Sequence, residues 1–427
     1  MYIELNEESN FSSKTDIKVK ELNPNETIIA KIKTKIANVE FSSAVKYKAD
    51  ENGEVIFNKA NAFDGVYEGV IEEGLFMNLS SIQGQVFNFN DPKEPFEFTL
   101  IVETENHFEN RVSSDNSLQS QLNQSEKILE DDDEYKTVKF TKSFSYGLDY
   151  ERIDYNKAHL NIYTKDKNNP IVLVISHAQR KVQLDKAAFL ANNGFTAITV
   201  EIFGAEYLSQ SAGLIPVEIF EDIDKALEGK YNTDSYDILG YGEGGGLAVL
   251  MANKYKDKIN KLVIFSPNYY VFQGISKAPV SMYTIDDKEF PYIQYRLSFK
   301  DQLSAVKNLI QRNPIPLIDT YRRCIERSKN KDSAILPYKN LHNDILLIGG
   351  KDDMLNDSKS WIERIKEDMG EDKVESVLFE NVGNFIAAPY FIAHPRKSVN
   401  TIIGGDRVEN SKASVEAFEK VLDFLKK

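Results

Sequence analysis

Apolar and polar positions exchange every second residue along much of the first hundred residues. The pattern is clearest in Ile17-Lys18-Val19-Lys20, Ile28-Ile29-Ala30-Lys31-Ile32-Lys33, Val45-Lys46-Tyr47, Val55-Ile56-Phe57 and Phe96-Glu97-Phe98-Thr99-Leu100. Period-two runs broken by Asn-Pro-Asn, Asn-Gly and Asp-Gly turns predict an antiparallel β-sandwich, with no helix of any length. Between Glu109 and Glu134 the pattern gives way to polar sequence ending in Asp131-Asp132-Asp133, which suits a connector. The domain boundary is therefore placed near residue 127, giving a first domain of 1–127 and a second of 128–427.

Beyond Lys139 the rhythm changes to apolar strands separated by helical segments. Ile171-Val172-Leu173-Val174-Ile175, Thr196-Ala197-Ile198-Thr199-Val200, Tyr236 to Leu239, Leu262 to Phe265, Ile345 to Ile348 and a last run near Val377-Leu378-Phe379 read as strands. Helices are predicted from Lys181 to Asn192, Pro216 to Leu227, Leu247 to Tyr255 and Ser414 to Lys426, with a helical insertion from about Lys300 to Glu326. The fold class expected is α/β: the N-terminal sandwich, then a mostly parallel sheet covered by helices on both faces.

Composition narrows the partners. A chain of 427 residues exceeds what one core usually serves, which agrees with two domains. No apolar run approaches the ~18 residues of a membrane span, so no membrane partner is expected. The net charge of −14 repels nucleic acid and anionic membrane at long range, and nucleic acid is likewise set aside as a partner. The N-terminus lacks a basic start and an apolar stretch, and the single cysteine, Cys324, permits no internal disulfide. Both features point to a cytoplasmic protein.

The segment richest in candidate chemistry is Gly240-Tyr241-Gly242-Glu243-Gly244, set between the strand ending at Leu239 and the helix starting at Leu247. It has the frame of the G-x-S-x-G nucleophile elbow with glycine at the centre. A phosphate-loop reading fails because no Lys-Ser/Thr pair closes the run, and a dinucleotide reading fails because Ile264-Phe265-Ser266-Pro267 stands where an acidic residue is needed. Asp352, Asp353 and Asp357 lack His or Cys companions, so no metal site is assigned and no cofactor is expected. Cys324 sits on a helix with basic neighbours, and the expected topology places it away from the elbow.

Further pieces fall into one order. Tyr67-Glu68-Gly69-Val70 with Gly74-Leu75-Phe76-Met77, Asn193-Gly194-Phe195, Phe203-Gly204, Ile215 to Phe220, the elbow, Phe265-Ser266-Pro267, Leu347 to Asp353, Gly383 to Tyr390 and Gly404-Gly405 together resemble the acyl-CoA thioester hydrolases and bile acid-CoA:amino acid N-acyltransferases. The resemblance implies an α/β-hydrolase second domain and a nucleophile, a His and an Asp that cleave or transfer an acyl group from CoA. It places Gly242 at the nucleophile position, Asn384 at the His position and Asp352 at the acid, with the adjacent Asp353 as the alternative one residue on. Two of the three roles are then vacant.

The resemblance also puts Glu243 at one side of the oxyanion hole and the loop with Ala178 and Gln179 at the other, with Arg180 and Lys181 as candidate contacts for CoA phosphates. Lys186 belongs to the same basic cluster, whose plainer reading is a solvated helix face. The expectation is a pseudoenzyme that binds acyl-CoA, a related acylated small molecule or a protein partner. The alternative is an active hydrolase or N-acyltransferase using non-standard residues, with Ser176, His177 and Glu243 as the groups nearest the vacant position.

Overall fold

The computed structural model describes the chain except for residues 37, 82–93, 112–130, 177–182, 297, 300–302, 304–306, 309, 312 and 399. Two compact units emerge: Met1–Gly147 with Ala387–Pro395 and Arg407–Val415, and Leu148–Ile386 with Arg396–Asp406 and Glu416–Lys427. The boundary predicted near 127 lies outside the described residues. The first unit runs on past it because the strand Tyr135–Ser143 pairs antiparallel with Phe96–Thr104 and so completes the first unit's sheet. No helix among the described residues is long and apolar enough to cross a membrane.

The first unit is β-rich. Its main sheet has seven strands, with Thr27–Ile36 antiparallel to both Val39–Lys48 and Phe96–Thr104. Glu8–Asn10 joins at the edge and runs parallel to Tyr135–Ser143, an exception to the antiparallel pattern. Tyr2–Glu4, Lys18–Lys20 and Val55–Ile56 form a separate three-stranded sheet. Two short helices, Gly74–Met77 and Glu105–Arg111, occupy a region where the alternation predicted none.

The Tyr67…Gly74 signature turns out to be a packing device. A Cβ on Gly74 would lie 2.6 Å from Cζ of Tyr67, so only glycine lets that ring settle there, and the Tyr67 and Tyr47 hydroxyls meet at 2.5 Å. Beside them lies a buried ion pair. Lys142 Nζ stands 3.6 Å from a Glu73 carboxylate oxygen and 4.6 Å from the centre of the Phe76 ring. It donates to Thr15 Oγ1 at 2.7 Å and to the Ser13 carbonyl at 3.1 Å. Glu73 accepts from the Thr15 N–H at 2.6 Å and from Asn58. Burial pushes the Glu73 carboxyl up and the Lys142 ammonium down, so each depends on the other to stay charged.

The second unit carries an eight-stranded sheet in the order Asp149–Tyr155, Ala158–Thr164, Thr196–Glu201, Ile171–Ile175, Tyr236–Tyr241, Ile259–Phe265, Asp344–Gly350 and Val374–Phe379. All pairings from Thr196–Glu201 onward are parallel, while Ala158–Thr164 is antiparallel to both neighbours. The apolar runs have two faces to bury. Ile171, Leu173 and Ile175 join one core with residues of the helices Ile219–Leu227, Glu243–Lys254 and Ser358–Met369. On the other face Phe418 of the C-terminal helix meets Phe265 at 5.4 Å and Phe189 of helix Leu184–Asn192 at 5.2 Å between ring centres.

Removing one partner of the buried pair leaves an uncompensated charge, so Lys142→Ala should destabilise the first unit by about 3–5 kcal/mol. The double change Lys142→Met with Glu73→Gln should cost less than Lys142→Ala alone. Urea unfolding of the three proteins at neutral pH measures this, and a double variant as unstable as the single one would contradict the coupling.

Candidate functional site

Four parallel strands deliver the candidate residues from their C-terminal ends, the edge where open α/β sheets place ligands. Tyr236–Tyr241 leads into Gly242, Ile259–Phe265 into Ser266, Asp344–Gly350 into Asp353 and Val374–Phe379 into Asn384. The helix begins at Glu243, four residues earlier than the pattern predicted, so strand and helix are joined by Gly242 alone.

That join has a definite conformation. Gly242 holds φ 53° and ψ −113°, a combination open to glycine and costly to any residue with a side chain. Its N–H donates to the Phe265 carbonyl at 2.9 Å, and its carbonyl accepts from the N–H groups of Gly245 and Gly246 at 3.0 and 3.2 Å. The flanking glycines serve a different need. A Cβ on Gly240 would lie 2.5 Å from Cα of Gly245, and one on Gly244 would lie 2.2 Å from the Ile175 carbonyl oxygen. Helix and sheet therefore approach too closely for side chains at those two positions, while Gly242 makes the turn.

The acid bonded to Asn384 is Asp353, not Asp352. Asp353 is 4% exposed, and its Oδ1 accepts from the N–H groups of Leu355 and Asn356, both at 2.9 Å. Its Oδ2 accepts from Ser358 Oγ at 2.5 Å and from Asn384 Nδ2 at 2.9 Å. Asp352 faces the opposite way, where Arg396 pairs with it and the Gly405 N–H donates to it at 2.9 Å. In a strand-end loop adjacent residues diverge, so a one-residue ambiguity in sequence becomes the difference between a buried carboxylate and an outward ion pair.

Asn384 is itself locked. Its carbonyl accepts from Ser266 Oγ at 2.8 Å and from the Tyr241 hydroxyl, which in turn accepts from the Ile386 N–H at 2.6 Å. The Tyr241 ring stacks on Phe265 and Phe385 at 5.5 and 5.9 Å. Nδ2 is spent on Asp353, and Oδ1 is buried with no hydrogen-bond partner among the described residues. Tyr241 and Ser266 thus hold the Asn384 loop against the elbow. Sequence reasoning missed both, since nothing local marks a tyrosine whose partner lies 143 residues away.

Other expectations change. Ala178, Gln179, Arg180 and Lys181, together with His177, lie outside the described residues. Ser176 is buried at the end of its strand. Lys186 is not on a solvated face: it is 3% exposed, with Nζ at 3.2 Å from Asp185, 2.5 Å from Gln183 Oε1 and 5.2 Å from the centre of the Tyr241 ring. Burial pushes its ammonium pKa down. Cys324 is buried. Its helix, Ile318–Arg327, is tied to the acid loop by the N–H groups of Leu317 and Ile318, which both donate to the Met354 carbonyl at 2.9 and 3.1 Å. Burial first, then the charge of Glu243, holds the Tyr321 phenol on this helix well above its ordinary range, with Cys324 and Asp353 adding to the effect. Glu243 itself opens the elbow helix, and its carbonyl accepts from the Tyr283 hydroxyl at 2.5 Å.

The sequence is similar to that of known proteins. A family model described as BAAT / Acyl-CoA thioester hydrolase C terminal matches residues 215–427, and one described as Acyl-CoA thioester hydrolase/BAAT N-terminal region matches residues 12–127. The chain is 22% identical to a mouse (Mus musculus) acyl-coenzyme A amino acid N-acyltransferase 2 over 94% of its own length and 90% of the relative's. It is 21% identical to a mouse peroxisomal succinyl-coenzyme A thioesterase over 57% of its length and 56% of the relative's. Among solved structures, naproxen esterase from Bacillus subtilis aligns over 65% of this chain and 91% of its own, at 11% identity and a TM-score of 0.38.

Asp353 provides a direct test of the site's electrostatics. Burial raises its carboxyl from an ordinary 3.8 to about 6, although Ser358, the Asn356 and Leu355 backbone and Asn384 all pull it down. A raised acid favours the fold when protonated, so its contribution is complete below 3.8 and is lost as pH rises through about 6. Relative to Asp353→Asn, the unmodified protein should lose on the order of 2–3 kcal/mol across that window. Unfolding curves that stay parallel with pH would mean the carboxyl is solvated.

Proposed function

The chain belongs to the BAAT/acyl-CoA thioester hydrolase family, and we propose that within it this protein binds an acyl-CoA or a related acylated molecule without processing it through a catalytic triad. The observation that carries this reading is the occupant of the elbow. Gly242 has the turn's backbone conformation and no side chain with which to attack a thioester. The residue bonded to the buried acid is Asn384, whose amide neither titrates near neutrality nor shuttles a proton.

Physical reasoning supports loss of catalysis over relocation. A nucleophile at φ 53°, ψ −113° would store about 1–3 kcal/mol of strain, and glycine relieves it. Asn384 satisfies Asp353 with one hydrogen bond, so the site is stable with no catalytic base present. Losing nucleophile or base alone typically costs roughly 10⁴–10⁶ in rate. What remains is a helix N-terminus at the C-terminal edge of the sheet, suited to holding a carboxylate, phosphate or carbonyl oxygen.

Two measurements test the proposal. With a panel of acyl-CoAs and free thiol followed, turnover should stay below about 0.1 s⁻¹ while the acyl-CoAs still bind; faster release would establish a working site built from other groups. Gly242→Ser should lower stability by about 1–3 kcal/mol, since serine must take up the strained turn. An unchanged melting temperature would show that the turn has relaxed.

A further inference from the structure

A cleft of about 380 Å³ opens in the second unit, lined by residues that the elbow does not use. Three stretches of chain build it. Lys157 comes from the tip of the hairpin between Asp149–Tyr155 and Ala158–Thr164, and Tyr207 from the loop after Thr196–Glu201. The rest is a small sheet of Ile215–Pro216, Tyr283–Ile285 and Lys288–Glu289, with Leu214 just before it. Alternation gives this sheet two faces. Tyr283 reaches the Glu243 carbonyl, whereas its neighbour Thr284 lines the cleft.

Costly features concentrate here. Tyr207 and Leu214 adopt left-handed backbone, with φ 59° and 53°, although neither is glycine, whereas Asp287 at φ 60° forms with Asp286 the ordinary two-residue turn between Tyr283–Ile285 and Lys288–Glu289. Tyr207 is 72% exposed and Leu214 40%, so an aromatic ring and an isobutyl group are held in strained positions without being buried. Strain of this kind gathers at ligand clamps. The charges also stand apart from their surroundings. Asp286 pairs with Lys254, and Glu289 accepts from the Ser281 N–H. The neighbouring Asp287 carboxylate and the Lys157 ammonium have no ion pair or side-chain hydrogen bond among the described residues.

We propose that this cleft binds a small aromatic monoamine. Asp287, Glu289 and Lys157 leave the lining with one net negative charge, which matches a single ammonium, and the chain's charge of −14 draws cations toward it. Tyr207 and Leu214 provide the apolar bed for the ring, so ring and ammonium are recognised by separate groups. The site is independent of what the elbow holds.

Tyramine titrated into the full chain, with binding followed by calorimetry, tests this directly. Saturable binding with a Kd at or below about 1 mM is expected, in the range a ligand of roughly ten heavy atoms reaches. An anion of the same size, 3-(4-hydroxyphenyl)propionate, should bind at least about tenfold more weakly. Asp287→Asn keeps a residue that tolerates the left-handed turn, so it should preserve the fold while weakening tyramine about fivefold or more. Tyr207→Ala should also weaken it, and Lys157→Ala should strengthen it. No saturation, equal affinity for the anion, or unchanged affinity in Asp287→Asn would each overturn the proposal.

Discussion

A strand and a helix joined through one residue set the constraint on which the second unit's candidate site depends. Nothing intervenes between Tyr236–Tyr241 and Glu243–Lys254 except Gly242, so the helix must start in close contact with the strand it leaves. The helix then runs so near the sheet that Gly240 and Gly244 have no room for a Cβ. Given that approach, the residue at the tip has little freedom, because only a left-handed turn redirects the chain so abruptly. An attacking side chain is tolerated there at the expense of strain; its absence leaves the architecture intact.

Opposite the turn, Asp353, Asn384, Ser266 and Tyr241 form one hydrogen-bonded cluster. The buried Asp353 carboxyl accepts from two backbone N–H groups, from the Ser358 hydroxyl and from the Asn384 amide. Tyr241 and Ser266 converge on the Asn384 carbonyl, so the backbone of that loop is fixed whatever side chain it bears. The backbone of the loop is therefore held independently of the side chain it presents, while Asp353 keeps a titratable carboxyl raised by burial.

Much of this was legible in the sequence, where local rules decide. The alternating runs gave the first unit's strands, and wholly apolar runs gave the buried parallel ones, because each reflects how many faces must leave water. The central glycine was visible because its neighbours hold a recognisable frame. What stayed hidden depended on direction or distance. Asp352 and Asp353 are equivalent in composition, and only the path of the loop separates them. The extent of the first unit depends on Tyr135–Ser143 pairing back across the polar segment, and the tie between helix Ile318–Arg327 and the acid loop depends on two N–H groups bonded to the Met354 carbonyl. Lys186 looked like a surface cation because helical spacing does not reveal that its face lies against Tyr241.

The link between helix Ile318–Arg327 and the acid loop has one more consequence. Met354 directly follows Asp353, so whatever shifts that helix tugs on the backbone beside a carboxyl whose proton affinity is set by burial. The proton on Asp353 is thus a built-in gauge. Its carboxyl stretching band in the infrared should shift when the helix bonded beside it moves, with no label attached.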